Sequence, residues 1–262
     1  MPHALLLSPH LDDAAFSCGA TAAALATAGW SVTLATAFTR SVPDPQGFAL
    51  ACQTSKGLDA SVDYMRLRRA EDAAAAVTMG CESVQWWPLP EAPHRGYHSP
   101  AELFGPVRDD DRIDGLSKRI EDAVASLRPD LIFLPQCWGR HVDHVQVVAA
   151  AADVLRKLDR LDAAVWWVDQ PYAMRPGPIG PPASIVATWA GSVEGLFSGG
   201  AQATAAKLDA CAAYGSQLGF QFGSESAMRD RLAGQVERFQ LSPDTWERLG
   251  SVLAAGGTCE TK

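Results

Sequence analysis

The sequence lacks several features that mark common functional classes. Its six cysteines, Cys18, Cys52, Cys81, Cys137, Cys211 and Cys259, are scattered, with no C-x-x-C pair. A disulfide framework or a zinc knuckle is therefore not expected, and the thiols read as reduced and mostly buried. Cys18 reads as a packed helix thiol, not a nucleophile. Basic residues are in deficit: 22 Lys and Arg stand against 30 Asp and Glu, a net charge of −8. No Lys/Arg cluster is present, which disfavours a nucleic-acid surface and polyanionic substrates. There is no basic N-terminal stretch leading into an apolar run, and no uncharged apolar stretch long enough to span a bilayer, so a cytoplasmic protein is expected. Gly19 stands without the other glycines of a G-x-G-x-x-G loop, and no H-E-x-x-H occurs.

What is present is a hydrophobic content of 47% in 262 residues, enough for a core without staples. The pattern predicts one domain, 1–262, of α/β class. A mostly parallel sheet with helices on both faces is expected. Strands are expected at 4–7, 31–38, 83–89, 130–135, 163–169 and 184–190. Helices are expected at 14–28, 64–80, 112–127 and 142–158, several closed by Gly or Pro. The portion 200–256 reads as mainly helical. Near-continuous apolar strands alternating with helices require a sheet covered on both faces. Ligands then bind beyond the carboxyl ends of the strands. Two long loops, 39–61 and 89–111, are of a length more often functional than idle.

Polar residues sit where two apolar strands end. "LLLSPHLDDAAFSCGA" (5–20) places His10, Asp12 and Asp13 at the join of strand and helix. "PQCWGRHVDHVQVV" (135–148) does the same with His141 and His144, which at i and i+3 can share one helix face. One aspartate could be a simple N-cap, but a cap leaves the histidines unexplained. A catalytic zinc site needs three protein ligands and one open position. His10, Asp13 and His144 supply two imidazoles and a carboxylate, with Asp12 and His141 beside the open position as acid–base groups.

These residues resemble the PIG-L/LmbE deacetylase family. Its A-H-P-D-D-E motif corresponds to "SPHLDDA" and its H-x-D-H motif to "HVDH". "TR" (39–40), "RRAE" (68–71) and "KLDACAAYGSQ" (207–217) follow in the family's order. The resemblance implies a Rossmann-like domain, a zinc ion (Fe2+ or another divalent metal in some members) and removal of an N-acyl group from an amino sugar. By position it makes His10, Asp13 and His144 the metal ligands, Asp12 the general base, and His141 the group facing the oxyanion or the leaving amine. Asp143 becomes the carboxylate that orients a histidine. Arg68 becomes a sugar contact or the partner of Glu71, and Arg40 a further sugar contact. Leu11 and Val142 replace family prolines, and Ala14 stands where most members have an acidic residue.

The expected chemistry is hydrolysis in which Asp12 takes the proton of an attacking water and protonated His141 stabilises the oxyanion. The expected partner is a small N-acyl amino sugar or its glycoside, on a chain compatible with a homo-oligomer. His94, Arg95, Tyr97 and His98 on the second loop suit sugar hydroxyls. Trp138 is a candidate pocket wall, while Trp86 and Trp87 read as core. "RDDDR" (108–112) reads as a solvated helix cap. The rival readings are an amidase for a thiol conjugate or another non-sugar amide, and a non-catalytic sugar- or metal-binding protein. Asp12 speaks against the second rival, because binding alone needs no base beside a metal.

Overall fold

In the computed structural model, which describes all residues from Met1 to Lys262, the first strand sets the plan. β1 (His3–Ser8) sends Ala4 and Leu6 into one core and Leu5 and Leu7 into the other. A strand buried on both faces needs helices on both sides, and the chain supplies them. The helix α1 (Asp13–Thr27) leads to β2 (Ser31–Thr36), and α2 (Gly47–Thr54) with α3 (Tyr64–Thr78) to β3 (Ser83–Trp86). The short α4 (Pro100–Leu103) and α5 (Leu116–Leu127) precede β4 (Leu131–Pro135), and α6 (Val142–Lys157) leads to β5 (Ala164–Trp167). These five strands run parallel in the order β3-β2-β1-β4-β5.

The order reverses at β1 and β4, which lie side by side with Ala4 opposite Leu131 and Leu6 opposite Phe133. A crevice opens beyond the carboxyl ends of two strands whose connections leave in opposite directions. Both histidine-bearing segments emerge there. Adjacency of β1 and β4 thus brings together residues more than a hundred positions apart.

The remaining chain departs from the expected outline. Residues 184–190 do not form a strand. They form α7 (Ala183–Val186) and a 3₁₀ turn over Ala187–Trp189. Pro181 and Pro182 fix φ just before them, which pre-organises a helical start. The portion expected to be helical carries three strands in and around it: β6 (Val193–Gly199), β7 (Glu237–Leu241) and β8 (Gly257–Thr261). They extend the sheet past β5 in the order β7-β6-β8, all antiparallel. Between them run α8 (Ala201–Ala212), α9 (Gly215–Phe222), α10 (Glu225–Leu232) and α11 (Pro243–Leu253). β7 escapes a reading by apolar alternation because one of its inward positions is charged: Glu237 is buried alongside Phe239 and Leu241.

That glutamate has a structural task. α1 breaks its helical dihedrals at Cys18 (φ −138°), which would leave backbone donors beyond the kink unpaired. Glu237 accepts from Ala20 N, Thr21 N and Thr21 Oγ1, and pairs with buried Lys207 at 2.8 Å. The rest of the 207–217 segment also ties elements together. Tyr214 donates to Asp72 at 2.7 Å, and Ser216 donates through N and Oγ to Glu71. No helix of the protein is long and apolar enough to cross a membrane.

Candidate active site at the ends of β1 and β4

Asp12 occupies the N-cap position of α1, yet its side chain makes no capping hydrogen bond. Its backbone sits at φ 146°, a region that costs an L residue of order 1–3 kcal/mol and persists where the surroundings impose it. The bland explanation of this aspartate as a cap therefore fails. Asp13 is turned back toward the histidines, its Oδ2 accepting from His10 N at 2.8 Å.

The ring orientations of two histidines are set by carboxylates behind them. His10 Nε2 donates to Asp143 Oδ2 at 2.9 Å, and His144 Nδ1 donates to Asp169 Oδ1 at 2.8 Å. In singly protonated rings, the form that can bind a metal, those protons point outward and the lone pairs of His10 Nδ1 and His144 Nε2 face each other and Asp13 Oδ2. The three atoms are 3.3 Å (His144 Nε2 to His10 Nδ1), 3.4 Å (His10 Nδ1 to Asp13) and 3.2 Å (His144 Nε2 to Asp13) apart. Ligands bonded tetrahedrally at roughly 2.0–2.1 Å lie about 3.3 Å from one another. His10, His141 and His144 form a looser set, with donor atoms within 4.8 Å. This histidine cluster is compatible with a divalent metal, and the tighter triad includes Asp13.

The electrostatics point the same way. Burial pushes the His10 imidazole down, but hydrogen bonds to Asp13 and Asp143 outweigh it and raise His10 to about 10. His144 rises to about 9 against its own burial through Asp13 and Asp169. Asp13, although buried, is held well below the usual carboxylate range by His144 and His10. Converging lone pairs and a carboxylate demand positive charge at their centre. Protons meet that demand in part, and a divalent cation fits it with one ion.

His141 differs from its neighbours. Its Nδ1 accepts from Asp143 N at 3.2 Å, capping α6. Burial, with His10 beside it, pushes it down to about 3. With Nδ1 accepting, a neutral His141 ring carries its one proton on Nε2. Phe104 packs edge-on against it, with centroids 5.3 Å apart. Burial raises the Asp12 carboxyl to about 7 against the pull of the Arg68 guanidinium, 3.5 Å away.

These groups open into a cleft of about 390 Å³ lined by His10, Asp12, Arg68 and His141, with Tyr64 and Phe104 among its walls. Arg68 reaches it, but its partners are Glu91 at 2.7 Å and Leu11 O at 2.8 Å, not Glu71. Other expected contacts lie elsewhere. Arg40 is exposed and outside the cleft lining. The Trp138 indole donates to Gln136 Oε1 and forms no wall of the cleft. Gly139 next to it has φ +82°, and a Cβ there would lie 2.8 Å from Tyr172 Cδ1, so this turn needs glycine.

Arg95 is turned inward, hydrogen-bonded to Asp111 and ion-paired with Asp143 Oδ1 at 2.7 Å, so it braces the carboxylate behind His10 and does not face a sugar. Asp111 is itself buried, accepting from Arg95, Tyr97 and Gln146, so only part of "RDDDR" is a solvated run. From the second loop, Pro93, Pro100, Leu103 and Phe104 line the cleft instead of His98 or Tyr97. Trp86 is 38% exposed at the sheet edge, whereas Trp87 is buried. Asp169 was not anticipated. It ends the apolar run "AAVWWVD", the same strand-end signal that singled out His10.

Comparison with known proteins identifies the family. Residues 5–155 match the PIG-L family model, described as GlcNAc-PI de-N-acetylase. A 2'-N-acetylparomamine deacetylase from Streptomyces fradiae is 31% identical over 169 residues, 64% of this chain and 57% of that one. Among solved structures, the A40926 pseudoaglycone deacetylase Dbv21 superposes with a TM-score of 0.72 at 25% identity, over 91% of this chain and 96% of that chain. The zinc inhibited form of teicoplanin deacetylase Orf2 shares the fold at the same TM-score and 23% identity, over 91% of this chain and 97% of that one. The family match runs from β1 into α6, across both histidine-bearing strand ends, and on that ground the chain belongs to the PIG-L (GlcNAc-PI de-N-acetylase) family.

Proposed function

We propose that the protein is a divalent-metal-dependent hydrolase, zinc by default, that removes an N-acyl group, most simply acetyl, from an amino sugar or its glycoside. The observation that carries the reading is the triad of donor atoms 3.2–3.4 Å apart, with Asp12 beside it in the cleft. His10, Asp13 and His144 would hold the metal. When bound, the cation acts as a Lewis acid that polarises the acyl carbonyl and makes water acidic enough to lose a proton near neutral pH.

The chain's own residues account for the remaining steps. Asp12, poised near neutrality by burial, takes the proton from the attacking water and is placed to return it to the departing amine. Arg68 holds Asp12 from the opposite side and keeps its carboxylate aimed into the cleft. His141 donates a hydrogen bond from its Nε2–H to the oxyanion as the tetrahedral centre forms, a contribution of about 3 kcal/mol. Asp143 and Asp169 fix the tautomers of His10 and His144, so that lone pairs and not protons face the metal position.

The test is a panel of N-acetylglucosamine, its glycosides and N-acetyl amino acids, assayed for free amine with Zn2+ or Fe2+ supplied. Release from sugars is expected. Activity on the amino acids with none on any sugar would remove the carbohydrate assignment and leave a metal amidase.

A further inference from the structure

The acidic groups facing the cleft beside the triad are Asp12 and Glu91, and Arg68 pairs with both. Asp143, at its floor, is taken by Arg95 and His10. Two further cations, Lys56 and Arg175, line the same cleft with no carboxylate partner. Both are held by aromatic faces. Lys56 Nζ lies 5.3 Å from the Tyr64 ring centre and 4.8 Å from that of Phe220. Arg175 lies 4.7 Å from the Tyr172 ring and 5.9 Å from Phe104.

A ring face fixes a cation's position while leaving most of its N–H donors free, which an ion pair does not. Lys56 spends one donor on Cys52 O, and Arg175 one on Gln221 Oε1 at 3.0 Å. The two cations flank one spot, since Lys56 stacks on Phe220 and Arg175 bonds the next residue, Gln221. Phe220, also in the cleft lining, is 59% exposed. A chain of net charge −8 thus places two cations without a salt-bridge partner beside an exposed ring in its cleft.

Building on the deacetylase reading, we propose that Lys56 and Arg175 select substrates whose aglycone carries a carboxylate on an apolar, ring-containing frame. The amide enters toward His10 and Asp12, the frame lies along Phe104 and Phe220, and the carboxylate meets the two cations. A cationic aglycone is disfavoured at the same place.

The test uses two N-acetyl-β-glucosaminides that differ in one group, 4-carboxyphenyl and 4-carbamoylphenyl. Hydrogen bonds to a charged group predict a preference in kcat/KM for the acid of about tenfold. The preference should collapse in the Lys56→Met/Arg175→Met variant and shrink as salt is added. Equal kcat/KM for the two glycosides, or an undiminished preference in the double variant, overturns the proposal while leaving deacetylation intact. Calorimetric titration of both glycosides into the Asp12→Asn variant reads recognition without turnover. Tighter binding of the acid, lost when Lys56 and Arg175 are also replaced, supports the proposal even if neither glycoside is hydrolysed, an outcome that would overturn deacetylation alone. No tighter binding of the acid overturns carboxylate selection.

Discussion

Two buried ionic clusters in this molecule are built from similar parts and end differently. Under β6 and β7, Glu237 meets Lys207 and three donors of α1, so its charge is balanced by a residue of the chain. At the ends of β1 and β4, Asp13, His10 and His144 converge with carboxylates behind the imidazoles and no lysine or arginine at their centre. A closed cluster fixes a helix. An open one, facing a cleft, is compatible with a divalent cation. Asp72 is an intermediate case, accepting from Trp86, Tyr214 and Thr36, all neutral donors. Its carboxyl is raised by burial to about 6.

The contrast can be tested at each cluster. The largest effect is expected at the open one. Asp12→Asn should lower kcat by about 10²–10⁴ while metal content by elemental analysis stays near wild type, because only the base is removed. His144→Ala should lose the metal itself, and full retention there would take His144 out of the ligand set. Next is the closed cluster. Lys207→Met leaves Glu237 buried without its cation and should cost about 3–5 kcal/mol in urea unfolding. Adding Glu237→Gln should recover part of that, and metal bound per folded molecule should not change. A loss below about 1 kcal/mol would mean that Lys207 is not what balances Glu237.

Asp72 gives a pH test. Its folded pKa lies above the unfolded value near 3.8, so the native state holds the proton longer as pH rises. Wild-type stability relative to Asp72→Asn should therefore fall between about pH 4 and pH 6, by up to about 3 kcal/mol, and level off above. A relative stability that rises through this window would reverse the assigned environment. The smallest effect is expected for Asp169→Asn, which loosens the hold on His144 and should weaken metal affinity about 10–100-fold without abolishing it. Unchanged affinity would mean that His144 is positioned by packing alone, Tyr172 being its ring neighbour at 5.4 Å.

The sequence by itself determined the parallel half of the sheet and the candidate site residues within it. Apolar runs and helical spacing are local signals, and so are titratable residues at the end of a buried strand: His10, Asp12 and Asp13 after β1, His141 and His144 after β4. Tertiary structure decided whatever depends on pairing between distant segments. It put Asp143 behind His10 across 133 positions and Asp169 behind His144. It turned Arg95 inward to Asp143, sent Glu71 to Ser216 in place of Arg68, and left Arg40 and Trp138 outside the cleft. It also gathered Lys56 and Arg175 in the cleft, though the overall charge gave no hint of positive charge there. The antiparallel strands β6 to β8 belong with these. They join the sheet only through the pairing of β7 with β5, and an inward glutamate in β7 hides the alternation that a local reading needs. Periodicity records which way a side chain faces. Which partner it meets is set by the order of the strands, and that order is a property of the whole fold.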